Sequence, residues 1–177
     1  MSTLYHELTD RQLTDAEVSS LLDYASDVED QKDIHRDPDG FTDNDGNTSY
    51  EFSDFQFCIV DNSVNNDVIT KIRNFLPSNR HVENMMFVWI NDAFDYHKEI
   101  RKCCLIVPLL ETPSPLKFVN SNDFSEELGS YTFTKGLPVL IDTQYTHLGN
   151  RDNTTPQQFF ELSFSHDYST VSSWYNE

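Results

Sequence analysis

Positive charge is scarce in this chain: 12 Lys and Arg stand against 30 Asp and Glu in 177 residues, for a formal net charge of −18. Such a field repels phosphate backbones, which all but excludes nucleic-acid binding by counterion release. Docking on anionic membranes is disfavoured for the same reason. Cysteine is also rare, with only Cys58, Cys103 and Cys104. An odd number, two of them adjacent, offers no disulfide framework and points to a reducing cytosol. With 5 glycines there is no Gly-rich phosphate loop, and neither a Gly-x-Ser-x-Gly elbow nor a Cys-x-x-Cys pair occurs. No apolar run approaches the length of a membrane span. The opening MSTLYHELTDRQ lacks the charged-then-apolar pattern of a signal peptide. A cytoplasmic protein is expected.

Aromatic residues are plentiful: 13 Phe, 8 Tyr and 2 Trp argue for a packed core rather than disorder. The acid is concentrated at the front. Residues 1–56 hold fifteen acidic side chains against Arg11, Lys32 and Arg36, which makes −12 of the −18. The chain therefore divides into an acidic N-terminal extension with one helix (1–56) and a more apolar domain (57–177).

Thr14-Asp15-Ala16-Glu17 has the form of a capping box, with Val18, Leu21, Leu22 and Ala25 on one face behind it. Asn65 or Asn66 can cap a supporting helix near 65–76, with Val68, Ile69, Ile72, Phe75 and Leu76 along one stripe and Pro77 as its stop. Past residue 84 the pattern changes to short runs rich in β-branched and aromatic residues: 85–90, 103–110, 115–119, 131–135, 138–142 and 157–165. Strands so closely spaced, without helices between them, favour an antiparallel sandwich, jelly roll or small barrel. The expected fold is mainly β (α+β), with helices packed on the N-terminal side.

The segment 94–110 carries the most chemistry. His97 and Glu99 are one residue apart, so on an extended strand both side chains share a face, as two ligands of one metal require. His147 follows a later strand. Two histidines and a carboxylate can occupy one face of an octahedral Fe(II) and leave positions open.

The run His97-x-Glu99, Arg101, the strand Leu105–Leu109, the Gly136-x-Pro138-Val139-Leu140-Ile141-Asp142-Thr143 strand, then His147 and Asn150, resembles the Fe(II)/2-oxoglutarate-dependent oxygenases. The likeness is to the aspartyl/asparaginyl-hydroxylase-like branch and its small relatives in bacteria and bacteriophages, and it covers roughly residues 84–165. It implies a double-stranded β-helix (jelly roll), a dioxygenase or hydroxylase activity, and Fe(II) and 2-oxoglutarate as cofactors. His97, Glu99 and His147 would be the metal ligands. Glutamate stands where most members have aspartate. The family usually places an arginine about ten residues beyond the second His, to pair with the distal carboxylate of 2-oxoglutarate. Here that residue is Gln157, and no Lys or Arg follows Arg151. Arg101, Arg151 or Lys102 could replace the missing cation, and Arg101, two residues beyond Glu99, would share the ligand face.

Plainer readings stand beside these. His97 and Glu99 lie among charges that could form a solvated edge, and His147 could cap a turn. Asp43-x-Asp45-x-Asn47, with Glu51 and Asp54, resembles part of a calcium loop but has Thr48 where such a loop needs glycine, so it reads as a solvated turn. Cys58 sits in an apolar run and reads as core. The competing class is a non-enzymatic jelly roll: an interaction or virion structural protein meeting a protein partner through its acidic surface.

Overall fold

A computed structural model of the chain describes residues 4–35, 41–42, 48–49, 55–61, 63–76, 80–90, 96–97, 102–112, 115–120, 123–143, 146–148 and 155–175. In chain order the elements are β1 (Tyr5–Glu7), α1 (Asp15–Asp27), β2 (Asp33–His35), β3 (Phe41–Thr42), β4 (Thr48–Ser49), β5 (Phe55–Ile59), α2 (Asp67–Arg73) and β6 (Asn84–Ile90). There follow β7 (Tyr96–His97), β8 (Cys103–Pro108), β9 (Leu116–Asn120), β10 (Asp123–Tyr131), β11 (Val139–Asp142), β12 (Thr146–Leu148), β13 (Gln157–Phe164) and α3 (Tyr168–Trp174).

Seven strands form one sheet in the order β1-β11-β8-β13-β6-β5-β2, and four form a second in the order β10-β9-β12-β7. Every pairing in both is antiparallel. The non-sequential order is that of a jelly roll, in which successive strands alternate between two facing sheets. β1, α1 and β2 come from the acidic front third: β1 lies along β11, and β2 along β5.

Two cores follow from the alternation of side chains along the central strands. On one face of the large sheet Phe87, Trp89, Cys103, Leu105, Val107, Phe160, Leu162 and Phe164 pack with Val18, Leu21, Ile69, Ile72, Val171 and Trp174 of the three helices. On the other face Met86, Val88, Ile90, Val139, Ile141 and Phe159 meet Leu116, Phe118, Tyr131 and Phe133 from the small-sheet side. The middle layer is covered twice, so β6 is buried from Met85 to Ile90 without a polar residue between. Such a strand reads as a continuous apolar run rather than an alternating one.

The first two helices are capped as their sequences dictate. Glu17 Oε2 accepts the Thr14 backbone N–H at 2.9 Å, while Thr14 Oγ1 accepts the Glu17 N–H at 3.3 Å, closing the capping box of α1. Asn66 Oδ1 accepts from the N–H groups of Val68 and Ile69 at 2.9 and 3.0 Å and starts α2, which ends at Arg73, short of the expected residue 76. Lys71 of α2 reaches Glu17 Oε1 at 2.6 Å and joins the two helices. Arg11 donates to the Phe75 and Tyr175 carbonyls just beyond the ends of α2 and α3, and its guanidinium lies 5.8 and 5.2 Å from the rings of the same two residues. One cation thus holds the orphan carbonyls of two helix ends. Gly136, at φ +73, turns the chain into β11. A Cβ there would stand 3.1 Å from the Leu13 carbonyl oxygen and 3.1 Å from Val18, so the segment before α1 docks only on a glycine.

Three expectations are corrected. The strand expected at 131–135 is absent: only Tyr131 is in a strand, as the last residue of β10, and Phe133 enters the inter-sheet core from outside any ladder. β10 lies largely between the runs expected at 115–119 and 131–135, where no strand is expected. It is a sheet edge with a broken register and exposed Ser125, Glu126, Glu127 and Leu128, so it carries no apolar alternation. The third correction is α3, which was not anticipated. It is short, and its signal is Asp167, which caps it by accepting the Thr170 N–H at 2.9 Å, with Tyr168, Val171 and Trp174 on the buried side. The calcium-like stretch 43–54 lies outside the described residues apart from β4, which pairs with β3. No helix among the described residues is long and apolar enough to cross a membrane.

Arg11→Ala is expected to cost about 2 kcal/mol in urea unfolding, because charge-assisted hydrogen bonds to two carbonyls are lost. Arg11→Lys should recover less than half, since a single ammonium cannot fork between them. The Lys71 hydrogen bond, helped by the Thr14 N–H, holds the Glu17 carboxyl down at about 2. A carboxylate lowered in the folded state stabilises above its ordinary titration range and loses that contribution as pH falls toward the folded value. Glu17→Gln should therefore cost about 1 kcal/mol at pH 7. In thermal melts, its deficit relative to wild type should shrink as pH falls from about 4.5 to about 2.

Candidate metal centre

Both sheets contribute walls to the site, and its backbone is set by β-ladder register. In the small sheet His147 of β12 stands directly opposite His97 of β7, and Leu148 opposite Tyr96. On its other side His147 stands opposite Phe118 of β9. Directly opposed residues of antiparallel strands share one sheet face. Residues 97, 147 and 118 are therefore one row, and it is the row in which Phe118 is fully buried in the inter-sheet core. The Phe118 ring stacks 6.3 Å from Tyr5 of β1 at 15°, and Tyr5 in turn lies 4.5 Å from Tyr131. The two histidines that the sequence singled out, fifty residues apart, are thus cross-strand neighbours in the backbone. Glu99, Arg101 and Arg151 lie outside the described residues.

The facing wall is β13. Gln157, Phe159, Glu161 and Ser163 alternate with Phe160, Leu162 and Phe164, which belong to the helix-side core, so the first set takes the inner face. Gln157 pairs with Ile90, the last residue of β6, and residues 91–95 then lead to β7. Residues 149–156 lead from β12 to β13. Gln157 is 8% exposed.

Further along the same face, the Cys104 thiol of β8 donates to Glu161 Oε1 at 3.2 Å. Ser163 is fully buried, and its hydroxyl has no hydrogen-bond partner among the described residues. The sequence analysis did not single out the polar residues of β13 at 161 and 163. Apolar and polar residues alternate from Phe160 to Phe164, but that pattern does not say which face is covered. All three cysteines are buried thiols, Cys58 in the helix-side core as expected. Burial, reinforced by the charge of Asp142, pushes the Cys103 thiol far up. Among the described residues no three His, Cys, Asp or Glu side chains gather around a metal-sized space.

No known family profile matches the chain, and no curated protein matches it. Solved structures do. A prolyl-4-hydroxylase from Pseudomonas putida is 8% identical with a TM-score of 0.60, over 93% of this chain and 94% of that one. A prolyl hydroxylase from Trichoplax adhaerens, solved with a peptide of the hypoxia inducible factor oxygen degradation domain, is 6% identical with a TM-score of 0.60, over 97% and 88%. SnoN, a non-heme alpha ketoglutarate dependent epimerase of nogalamycin biosynthesis, is 11% identical with a TM-score of 0.58, over 90% and 77%. At such identities the likeness establishes the fold. The chain shares the jelly roll of these structures, the fold that the sequence resemblance implied.

Native protein is expected to leave all three thiols unreactive toward an aromatic disulfide reagent over minutes, and all three should react in urea. A fast-reacting native thiol would contradict the burial described for Cys58, Cys103 and Cys104.

Proposed function

We propose that the chain is a non-haem Fe(II) oxygenase, a dioxygenase of the aspartyl/asparaginyl-hydroxylase-like type, with His97, Glu99 and His147 as metal ligands. The observation that supports this most is the direct cross-strand pairing of His147 with His97. Opposed residues of an antiparallel pair have Cα atoms roughly 4.5–5.5 Å apart, close enough for two imidazoles to share one metal. Glu99, two residues beyond His97, keeps the same face if the strand runs on. Iron held by two imidazoles and a carboxylate supplies dioxygen activation for oxidation of a C–H bond. The chain's own part is to hold the ligand row against the buried Phe118 and to line the interior with Val88, Ile90, Phe133 and Phe159, which keep bulk water out.

The donor set suits Fe(II). It suits 2-oxoglutarate less well. The 2-oxo acid end of that cosubstrate asks only for a metal, but its distal carboxylate asks for a cation or a cluster of donors. Among the described residues, β9 is the only strand that contains a Lys or Arg. That residue, Lys117, alternates with the inward Leu116 and Phe118, is 44% exposed and pairs with Glu127 at 3.2 Å. The sequence offers Arg101 and Arg151 as cations that could supply the charge.

Anaerobic titration of the full chain with Fe(II), followed by calorimetry, tests the reading. Wild type should bind one equivalent, and His147→Ala and Glu99→Ala should each weaken binding by more than the roughly 10–100-fold that loss of an outer-shell partner costs. Without iron, the melting temperatures of variants and wild type should agree. Equal Fe(II) affinity in wild type and His147→Ala, or none in either, would sink the oxygenase and leave the non-enzymatic jelly roll with a protein partner.

A further inference from the structure

We propose that β1 is a clasp between the two sheets and that Tyr5 is a positioning residue of the metal centre, holding Phe118 and through it the row that bears His147 and His97. This rests on the iron-oxygenase reading and names a part of the chain, remote in sequence from the ligands, on which that centre depends.

Ladder register extends the candidate ligand row by one residue. Gly129 of β10 stands opposite Phe118 of β9, on the side away from β12. Gly129, Phe118, His147 and His97 therefore form one row across all four strands of the small sheet. The β12–β7 end of that row has a ladder of only two pairs, too short to fix the tilt of a strand by its own hydrogen bonds. The β10 end is held from the other sheet. A Cβ at Gly129 would stand 3.0 Å from Leu4 Cδ1, so Leu4 occupies the space of the missing side chain.

Tyr5 closes the joint. β1 is the edge strand of the large sheet, where the Asp142 N–H donates to the Leu4 carbonyl at 3.0 Å and the Leu8 N–H to the Pro138 carbonyl at 2.9 Å. Tyr5 opposes Ile141, which belongs to the inter-sheet core, so the tyrosine ring enters that core as well. There it stacks 6.3 Å from Phe118 at 15° and lies 4.5 Å from Tyr131, which is two residues past Gly129 and shares its face. A strand of three residues, tied by its backbone to one sheet, thus grips positions 118, 129 and 131 of the other. Phe118 is the direct ladder neighbour of His147, so a shift of its ring and strand is passed to the ligand row. A metal site tolerates displacements of only about 0.5 Å, and removing the tyrosine ring opens a cavity into which Phe118 can move by more than that.

The test titrates the full chain anaerobically with Fe(II) alone, by calorimetry, well below the melting temperature of each variant. Tyr5→Ala should bind about tenfold more weakly than wild type or worse, and Tyr5→Phe, which keeps the ring, should stay within about twofold. Gly129→Val should weaken binding similarly from the opposite side, because it displaces Leu4 while suiting an edge strand. It keeps the result decisive where Tyr5→Ala does not fold. Arg11→Ala loosens the helices on the far face of the large sheet and is the stability control; its Fe(II) affinity should equal that of wild type. With Co(II) in place of Fe(II), the visible d–d bands should change in Tyr5→Ala and keep their wild-type form in Arg11→Ala. Wild-type affinity or wild-type Co(II) bands in folded Tyr5→Ala, or wild-type affinity in folded Gly129→Val, overturn this proposal and spare the oxygenase reading. An equal loss of affinity in Tyr5→Phe or Arg11→Ala overturns it likewise. Failure of wild type to bind Fe(II) overturns the oxygenase reading and this proposal together.

Discussion

Double burial of the middle layer is the constraint from which the rest of the molecule follows. β13 pairs with β6 on one side and β8 on the other, and each of these strands must satisfy two cores at once. Its Phe160, Leu162 and Phe164 face the helices, and its Phe159 faces the small sheet. A strand so placed cannot slip by one residue without exchanging both sets, so the register of the whole large sheet is pinned. That register sets Gln157 opposite Ile90, the last residue of β6.

The small sheet depends on this layer in turn. Its strands are short, and β7 is only two residues long. What holds it in place is the inter-sheet core built on Phe118, Tyr131 and Phe133 against Val88, Ile141 and Phe159. Because Phe118 shares its row with His147 and His97, the packing that fixes the sheet also fixes the candidate ligand row. Rigid placement of a ligand row by a packed neighbour is what a metal site requires of its scaffold. The polar residues of the interior, Glu161 with Cys104 and the buried Ser163, lie deeper along the same face.

The acidic front third is less separate than its charge implied. β1 lines the edge of β11, α1 supplies Val18, Leu21 and Ala25 to the helix-side core, and Arg11 holds two helix ends from outside. The acids of α1 stay at the surface because its apolar stripe is narrow, with Asp15, Glu17, Asp23 and Asp27 on the other sides. Charge segregation along the chain therefore marks a solvated face of a shared core, not a boundary in packing.

Local rules read from the sequence gave good account of whatever depends on neighbours along the chain. The capping box at Thr14, the Asn66 cap and the strands at 85–90, 103–108, 139–142 and 157–164 are all set by side chains within a few residues, and a doubly buried strand announces itself as an apolar run. The His97, Glu99 and His147 pattern was legible as a set of residue types with plausible spacing. The sequence could not show that residues 97 and 147 are opposed, nor that Glu161 and Ser163 face inward, nor that β10 is a strand. Those facts depend on which strands become neighbours, and pairing between segments dozens of residues apart is decided by how two layers bury their apolar faces together. Composition and local periodicity determined the class of fold; the tertiary packing alone decided which polar residues share an interior.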